Sequence, residues 1–65
     1  MIYRYYCPYR PPAPGAIPRG AIRVVFSDDE FMTDEEGYVH RAWGFVEYDH
    51  KLTDAEIYDY ELEEG

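Results

Sequence analysis

The chain has 65 residues, of which 14 are acidic and six are Lys or Arg, so its formal net charge is −8 at pH 7. A chain of this length forms one domain at most, and its single cysteine excludes an internal disulfide. One cysteine and two histidines are too few to complete a zinc site, so we expect no metal and no cofactor. The acidic balance disfavours direct binding to nucleic acid or anionic lipid, because affinity for phosphate depends on Lys and Arg.

The charges are divided by position along the chain. Residues 1–26 contain four arginines and no acid, whereas residues 27–65 contain all fourteen acids and two basic residues, Arg41 and Lys51. The division indicates that the two parts contact each other, or that one of them contacts a partner of opposite charge. There is no apolar run of signal-peptide or membrane-span length, and the one cysteine is unpaired. We therefore expect a cytoplasmic protein that does not enter a membrane.

Three segments have the composition of β-strands. Residues 2–7 are rich in Tyr and Ile, residues 21–26 alternate between two faces, and residues 38–48 form a longer aromatic strand. Gly44 inside the third strand indicates that a neighbouring group approaches the backbone closely. Hairpin geometry favours antiparallel pairing of the second and third strands across the acidic residues that separate them.

The segment between the first two strands is an extended arm. Residues 8–20 contain all five prolines, so they predict polyproline II structure with turns at Gly15 and near Gly20. Tyr9 and Ile17 indicate that the arm lies against the core. A PxxP spacing within it resembles an SH3 ligand, but packing within the molecule is the commoner use of such a segment in a short chain.

The acidic stretch, residues 27–37, predicts a turn or a single helical turn around Phe31-Met32, closed by Gly37. It lacks the ligand positions of an EF-hand loop, so we interpret it as a solvated turn without a cation.

The C-terminal segment predicts a short helix over residues 54–60. Thr53 and Glu56 have the spacing of a capping box, and Leu52 and Ile57 have that of a hydrophobic staple. Acidic residues crowd the C-terminal turn, where the helix dipole disfavours them, so the chain should fray after it. The sequence thus predicts a single α+β domain over residues 1–65, with a small antiparallel sheet of about three strands.

Groups that could support catalysis are few. His40, Asp49 and His50 suggest a base, and Cys7 or Ser27 would be the nucleophile. A reactive thiol needs nearby positive charge, whereas the cysteine lies in a Tyr-rich strand where a buried structural thiol is usual. We therefore assign no catalytic residue and expect no enzyme activity.

The excess of acidic over basic residues is the feature of the sequence that says most about function. Even if all six basic residues pair within the chain, eight carboxylates remain. The leading hypothesis is a module that binds a protein, and the negative charge favours a basic partner. The alternatives are an inhibitor that mimics nucleic acid to block a basic groove, a homo-oligomer formed through an edge strand, and an acidic surface that serves solubility alone. The candidate contact residues are Asp28, Asp29, Glu30, Asp34, Glu35, Glu36 and Trp43.

The chain also resembles a family of short accessory proteins of bacterial mobile elements, which include conjugative elements and prophages. The resemblance covers nearly the whole chain and is loosest in residues 27–37. It implies a bacterial accessory protein, and it brings no assigned activity, cofactor or site residue. The segments that carry it are Tyr5-Tyr6-Cys7, Tyr9 through Pro18, Trp43 through Asp49, and Leu52 through Leu62.

Overall fold

The computed structural model describes residues 1–65 as two antiparallel sheets and one helix. The larger sheet has the strand order β2-β5-β1-β6, and the smaller sheet is the β3–β4 hairpin. The α+β class is confirmed, but the expectation of about three strands in one sheet is wrong. The elements are β1 (Tyr3–Tyr6), β2 (Arg23–Phe26), β3 (Phe31–Thr33), β4 (Val39–Arg41), β5 (Gly44–Tyr48), α1 (Asp54–Asp59) and β6 (Glu63–Glu64).

Strand β5 is the centre of the larger sheet, and all five of its residues are buried. It pairs with β1 on one side and with β2 on the other, which confirms the predicted pairing of residues 21–26 with part of 38–48. Val46 and Tyr48 face the main core, together with Tyr5. Phe45 faces a second, smaller cluster. Because its two faces meet different clusters, β5 is buried on both sides.

The predicted strand 38–48 is in fact two strands in different sheets. At the junction, the Ala42 N–H donates to the Glu30 carbonyl at 2.8 Å, and the Trp43 N–H donates to the Cys7 carbonyl at 2.8 Å. The chain thus crosses from one sheet to the other at these two residues, which a continuous aromatic pattern does not show.

The predicted turn around Phe31-Met32 is wrong, since both residues belong to β3. Strand β3 pairs with β4 in the register that sets Met32 opposite His40. The turn lies later in the acidic stretch, where Gly37 has a φ of 90°. Three residues are too few to produce a strand signal, so the acidic residues on either side dominate the local pattern.

The proline arm packs on the main core, as predicted. Pro12 and Pro18 are buried, and the Tyr48 hydroxyl donates to the Pro18 carbonyl. Ile17 packs against the core, whereas Tyr9 is 66% exposed, so the expectation for this tyrosine is wrong.

Helix α1 begins with the predicted capping box. The Thr53 hydroxyl accepts the Glu56 N–H at 3.2 Å, and the Glu56 carboxylate accepts the Thr53 N–H at 2.9 Å. The helix ends at Asp59 and is followed by Glu61 with a φ of 53°. The expectation that the chain frays after the helix is wrong, because Glu63–Glu64 form strand β6, which pairs with β1, and Leu62 is buried in the main core. This helix has neither the length nor the apolar run that would let it cross a membrane.

Candidate functional site

The first group of predicted contact residues lies in the turn between β2 and β3. The Asp29 carboxylate accepts the Phe31 N–H at 2.8 Å, and the Glu30 carboxylate lies 3.8 Å from the Arg41 guanidinium. Asp28 is exposed and has no side-chain hydrogen bond or ion pair. Of these three acids, Asp28 is the one whose charge is free for a partner.

The second group lies in the β3–β4 turn, where Asp34 organises the backbone. One of its carboxylate oxygens accepts the N–H groups of Glu36 and Tyr38 at 2.9 and 3.0 Å. The other oxygen lies 2.7 Å from His40 Nε2. The bond to His40, followed by the backbone N–H groups, holds the pKa of Asp34 below its usual value. Asp34 therefore has a structural role, and Glu36 is left as the free carboxylate of this turn.

Glu35 belongs to a network of ion pairs that links the two sheets. Arg4 contacts Glu35 at 2.9 Å and the buried Glu47 at 2.9 Å, while Arg23 lies 3.5 Å from Glu47. The Arg4 guanidinium also lies 4.1 Å from the centre of the Phe45 ring. The pKa of Glu35 lies below its usual value, because its own backbone N–H and then Arg4 favour the carboxylate. Arginines of the first part of the chain thus pair with acids of the second.

Trp43, the predicted aromatic contact, is half-buried at the junction of the two sheets. Its carbonyl accepts the Ser27 N–H at 2.9 Å, which brings it close to the start of the first acidic group. Its role in binding stays a prediction.

A third group of acids, not among the predicted contacts, surrounds a groove beside the helix. The groove has a volume of about 810 Å³ and lies between the start of the proline arm, α1 and β6. Two tyrosines at its surface, Tyr9 and Tyr58, are 66% and 83% exposed. We call this surface the acidic groove. Its acidic residues are Asp54, Asp59, Glu61, Glu63 and Glu64.

The carboxylates of the acidic groove are almost uncompensated. Arg10 pairs with Glu61, and the other four acids have no basic partner. The sequence contained part of this signal, because no basic residue follows Lys51. It did not contain the concave shape, since Tyr9 and Tyr58 come from opposite ends of the chain and only the fold brings them to one surface.

The groups that could support catalysis are engaged in structural contacts or exposed at the surface. Cys7 is buried, and burial raises its pKa to about 11, so the thiol is protonated at neutral pH. The His40 ring stacks on Tyr6 with 4.0 Å between ring centres. His50 lies 2.9 Å from Asp49 at the surface. No group of three or more side chains is placed to hold a metal ion.

Comparison with known proteins gives a family for the whole chain. The Defence against restriction A C-terminal family matches residues 1–65. The chain belongs to this family. A curated relative, the Defense against restriction protein A of Escherichia phage P1, is 37% identical over 60 residues. No solved structure matches the chain.

This family membership confirms the resemblance to accessory proteins of bacterial mobile elements, since the relative is a phage protein. The family membership also corrects the expectation that such a family brings no assigned role, because this family is named for defence against restriction. The match covers 92% of this chain but only 9% of the phage P1 protein, so the chain spans less than a tenth of that relative.

Proposed function

We propose that this chain is a protein-binding domain without catalytic activity that takes part in defence against restriction, and that it binds a partner with a basic surface. The acidic groove carries the proposal. Family membership supports the role, and the phage relative bears the same description. The partner would be met in the bacterial cytoplasm, where the single thiol stays reduced.

The composition of the acidic groove fits a basic protein surface. Four unpaired carboxylates around a concave surface create a negative field that speeds the approach of Lys and Arg side chains. Exposed tyrosines add flat apolar area and a hydroxyl, the combination that is enriched at protein interfaces. In the β2–β3 and β3–β4 turns, by contrast, most of the acids are engaged within the chain.

A second candidate function is mimicry of nucleic acid. Restriction enzymes act on DNA, and proteins bind its phosphates with Lys and Arg. The free carboxylates of Asp28, Glu36 and the acidic groove would occupy a DNA-binding surface of this kind. Under this hypothesis the chain competes with DNA for its partner. If the chain instead binds a surface of the partner outside the DNA-binding site, the partner keeps its affinity for DNA.

The experiment is affinity capture from a bacterial host that has a restriction system, followed by measurement of Kd for each captured protein. The groove variant carries Asp59→Asn and Glu63→Gln. We expect the Kd of this variant to be higher by roughly tenfold or more, and its affinity to depend less on salt, because two charges that face the partner are lost. Competition with duplex DNA then separates the two candidate functions.

The matched control carries Asp28→Asn and Glu36→Gln, which also removes one Asp and one Glu that have no partner in the chain. This pair tests the contact surface predicted from the sequence. If the control weakens binding and the groove variant does not, the acidic groove is not the binding surface. Binding that is insensitive to salt would contradict a basic partner altogether.

A further inference from the structure

Strand β2 is an exposed edge of the larger sheet. In the order β2-β5-β1-β6 it has a neighbour on one side only. Ile22, Val24 and Phe26, which alternate along this segment, are 52%, 39% and 57% exposed. Val24 and Phe26 are alternate residues of β2 and share a face, so they form its exposed apolar row, and Ile22 lies at the bend just before the strand. An open edge with such a row is a template for pairing with another strand.

The backbone of Val24 points outward from this edge. The Gly44 carbonyl of β5 accepts a hydrogen bond from the Cys7 N–H on the β1 side, and alternate residues of an antiparallel strand direct their backbone groups to the same neighbour. Val46 therefore faces β1 with its backbone groups. Val24 lies opposite Val46, so its own N–H and C=O point away from β5 and are available to a further strand.

An apolar groove of about 680 Å³ continues the exposed row onto the proline arm. Ile17 and Pro18 of the arm line it, together with Val24 and Phe26 of β2. None of its lining residues is acidic, in a chain that has 14 acids. This face is thus chemically distinct from the acidic groove.

The charges that flank β2 identify its occupant. Arg19, exposed and without an acidic partner, precedes the strand, and Asp28 and Asp29 follow it. An antiparallel copy of the same segment places the basic end of each strand beside the acidic end of the other. We propose that the chain forms a symmetric dimer through antiparallel pairing of β2 with β2 of a second copy. This inference does not depend on the acidic groove.

The symmetry restricts the register. A two-fold axis perpendicular to the sheet keeps each side chain on its own face, so a residue pairs with one an even number of positions away. The register centred on Val24 pairs Val24 with itself and sets the Phe26 side chain opposite that of Ile22, whose own N–H bonds to the Glu47 carbonyl at 2.8 Å and takes no part in the new pairing. Each copy then sets an aromatic ring opposite an aliphatic side chain, a favourable cross-strand pair. The two sheets become one continuous sheet of eight strands, twice the four of one copy.

Sedimentation equilibrium of the full chain tests the dimer. We expect a mass of twice 7.7 kDa that falls to 7.7 kDa on dilution. Val24→Pro removes an outward N–H and leaves the pairing with β5 intact, so Kd should rise roughly tenfold or more. Val24→Lys places a charge in the row and should act in the same direction. Val39→Lys is the control, because Val39 is 66% exposed on the other sheet.

Charge exchange supplies an independent test. Arg19→Glu alone should weaken the dimer, and adding Asp28→Lys should restore it, since the opposed charges are then exchanged between copies. In a mixed sample of labelled and unlabelled chains, contacts between Ile22 and Phe26 across copies would establish the register.

A monomer at all concentrations, or a dimer with unchanged Kd in both Val24 variants, overturns the proposal. The groove variant with Glu63→Gln should dimerise normally, so failure of the proposed function would not be confused with failure of the dimer.

Discussion

At the scale of single residues, Gly44 shows how a local exception in a pattern reports on tertiary structure. The sequence predicts a close approach at this glycine. The approaching groups are the Val25 carbonyl and the Pro12 ring, whose carbons would lie 2.7 and 2.8 Å from a Cβ at this position. Pro12 belongs to the arm, so the strand glycine makes room for the proline arm against the sheet.

Gly44→Ala should therefore destabilise the fold by about 1–3 kcal/mol, because the added methyl group overlaps the backbone and a rigid ring. Urea unfolding followed by circular dichroism measures the change. The cost should fall in a Pro12→Ala background, since one of the two obstacles is removed. Gly15→Ala is a useful comparison, because nothing lies within 4 Å of its Cβ position and only its φ of 88° opposes the substitution. Unchanged stability of Gly44→Ala would show that β2 or the arm moves aside freely.

The Asp34 carboxylate should make the β3–β4 turn sensitive to acid. Its pKa in the folded chain lies below the usual 3.8, chiefly because of the bond to His40. A lowered pKa means that the stabilisation is complete above 3.8 and is lost as the pH falls through the folded value. Asp34→Asn keeps an oxygen for the two backbone N–H groups but loses the charge. We expect its thermal midpoint to fall less on acidification than that of the unaltered chain; parallel pH profiles would contradict this role.

At the scale of elements, the sequence predicted the helix and the strands whose pattern is long or depends only on neighbouring residues. The start of α1 was predictable because the two residues of the capping box bond to each other and depend on nothing distant. Strands β3 and β6 were missed because they have three and two residues. Each forms by pairing with a partner strand, and no pattern of that length distinguishes a strand from a turn.

Thr53→Ala should cost about 1 kcal/mol, since it leaves the Glu56 N–H without its acceptor. Chemical denaturation measures the change. Thr53→Ser retains the hydroxyl oxygen and should recover most of the stability. Equal stability of the Ala and Ser variants would show that packing of Leu52, and not the cap, fixes the start of the helix.

At the scale of the whole molecule, charge is compensated unevenly. Four arginines pair with acids, which leaves ten of the fourteen carboxylates without an arginine or lysine partner. The pairing is concentrated where β1, β2 and β5 meet. The uncompensated charge is concentrated at the helix and β6, so the chain is least stabilised by its charges where the candidate binding surface lies.

Added salt should accordingly stabilise the chain. Raising NaCl from about 0.02 M to about 0.5 M shortens the screening length to a few ångströms and weakens repulsion among the groove carboxylates. We expect the thermal midpoint to rise, by about 4–8 °C for each kcal/mol gained. The variant with Asp59→Asn and Glu63→Gln should show a smaller rise. A midpoint that falls with salt would mean that the arginine pairs outweigh the repulsion.

The sequence by itself determined the class of fold, the helix cap, the packing of the proline arm on the core and the central strand pairing, because each follows from the composition or spacing of a short segment. It also identified the surplus of acid. It did not determine which acids are free, because ion pairs such as Arg4 with Glu35 join residues far apart in the chain. Only the tertiary structure assigned structural roles to Asp29, Asp34 and Glu35 and gathered two exposed tyrosines with unpaired carboxylates beside the helix. A charge pattern records how many carboxylates exist, and the fold decides which of them still face solvent without a partner.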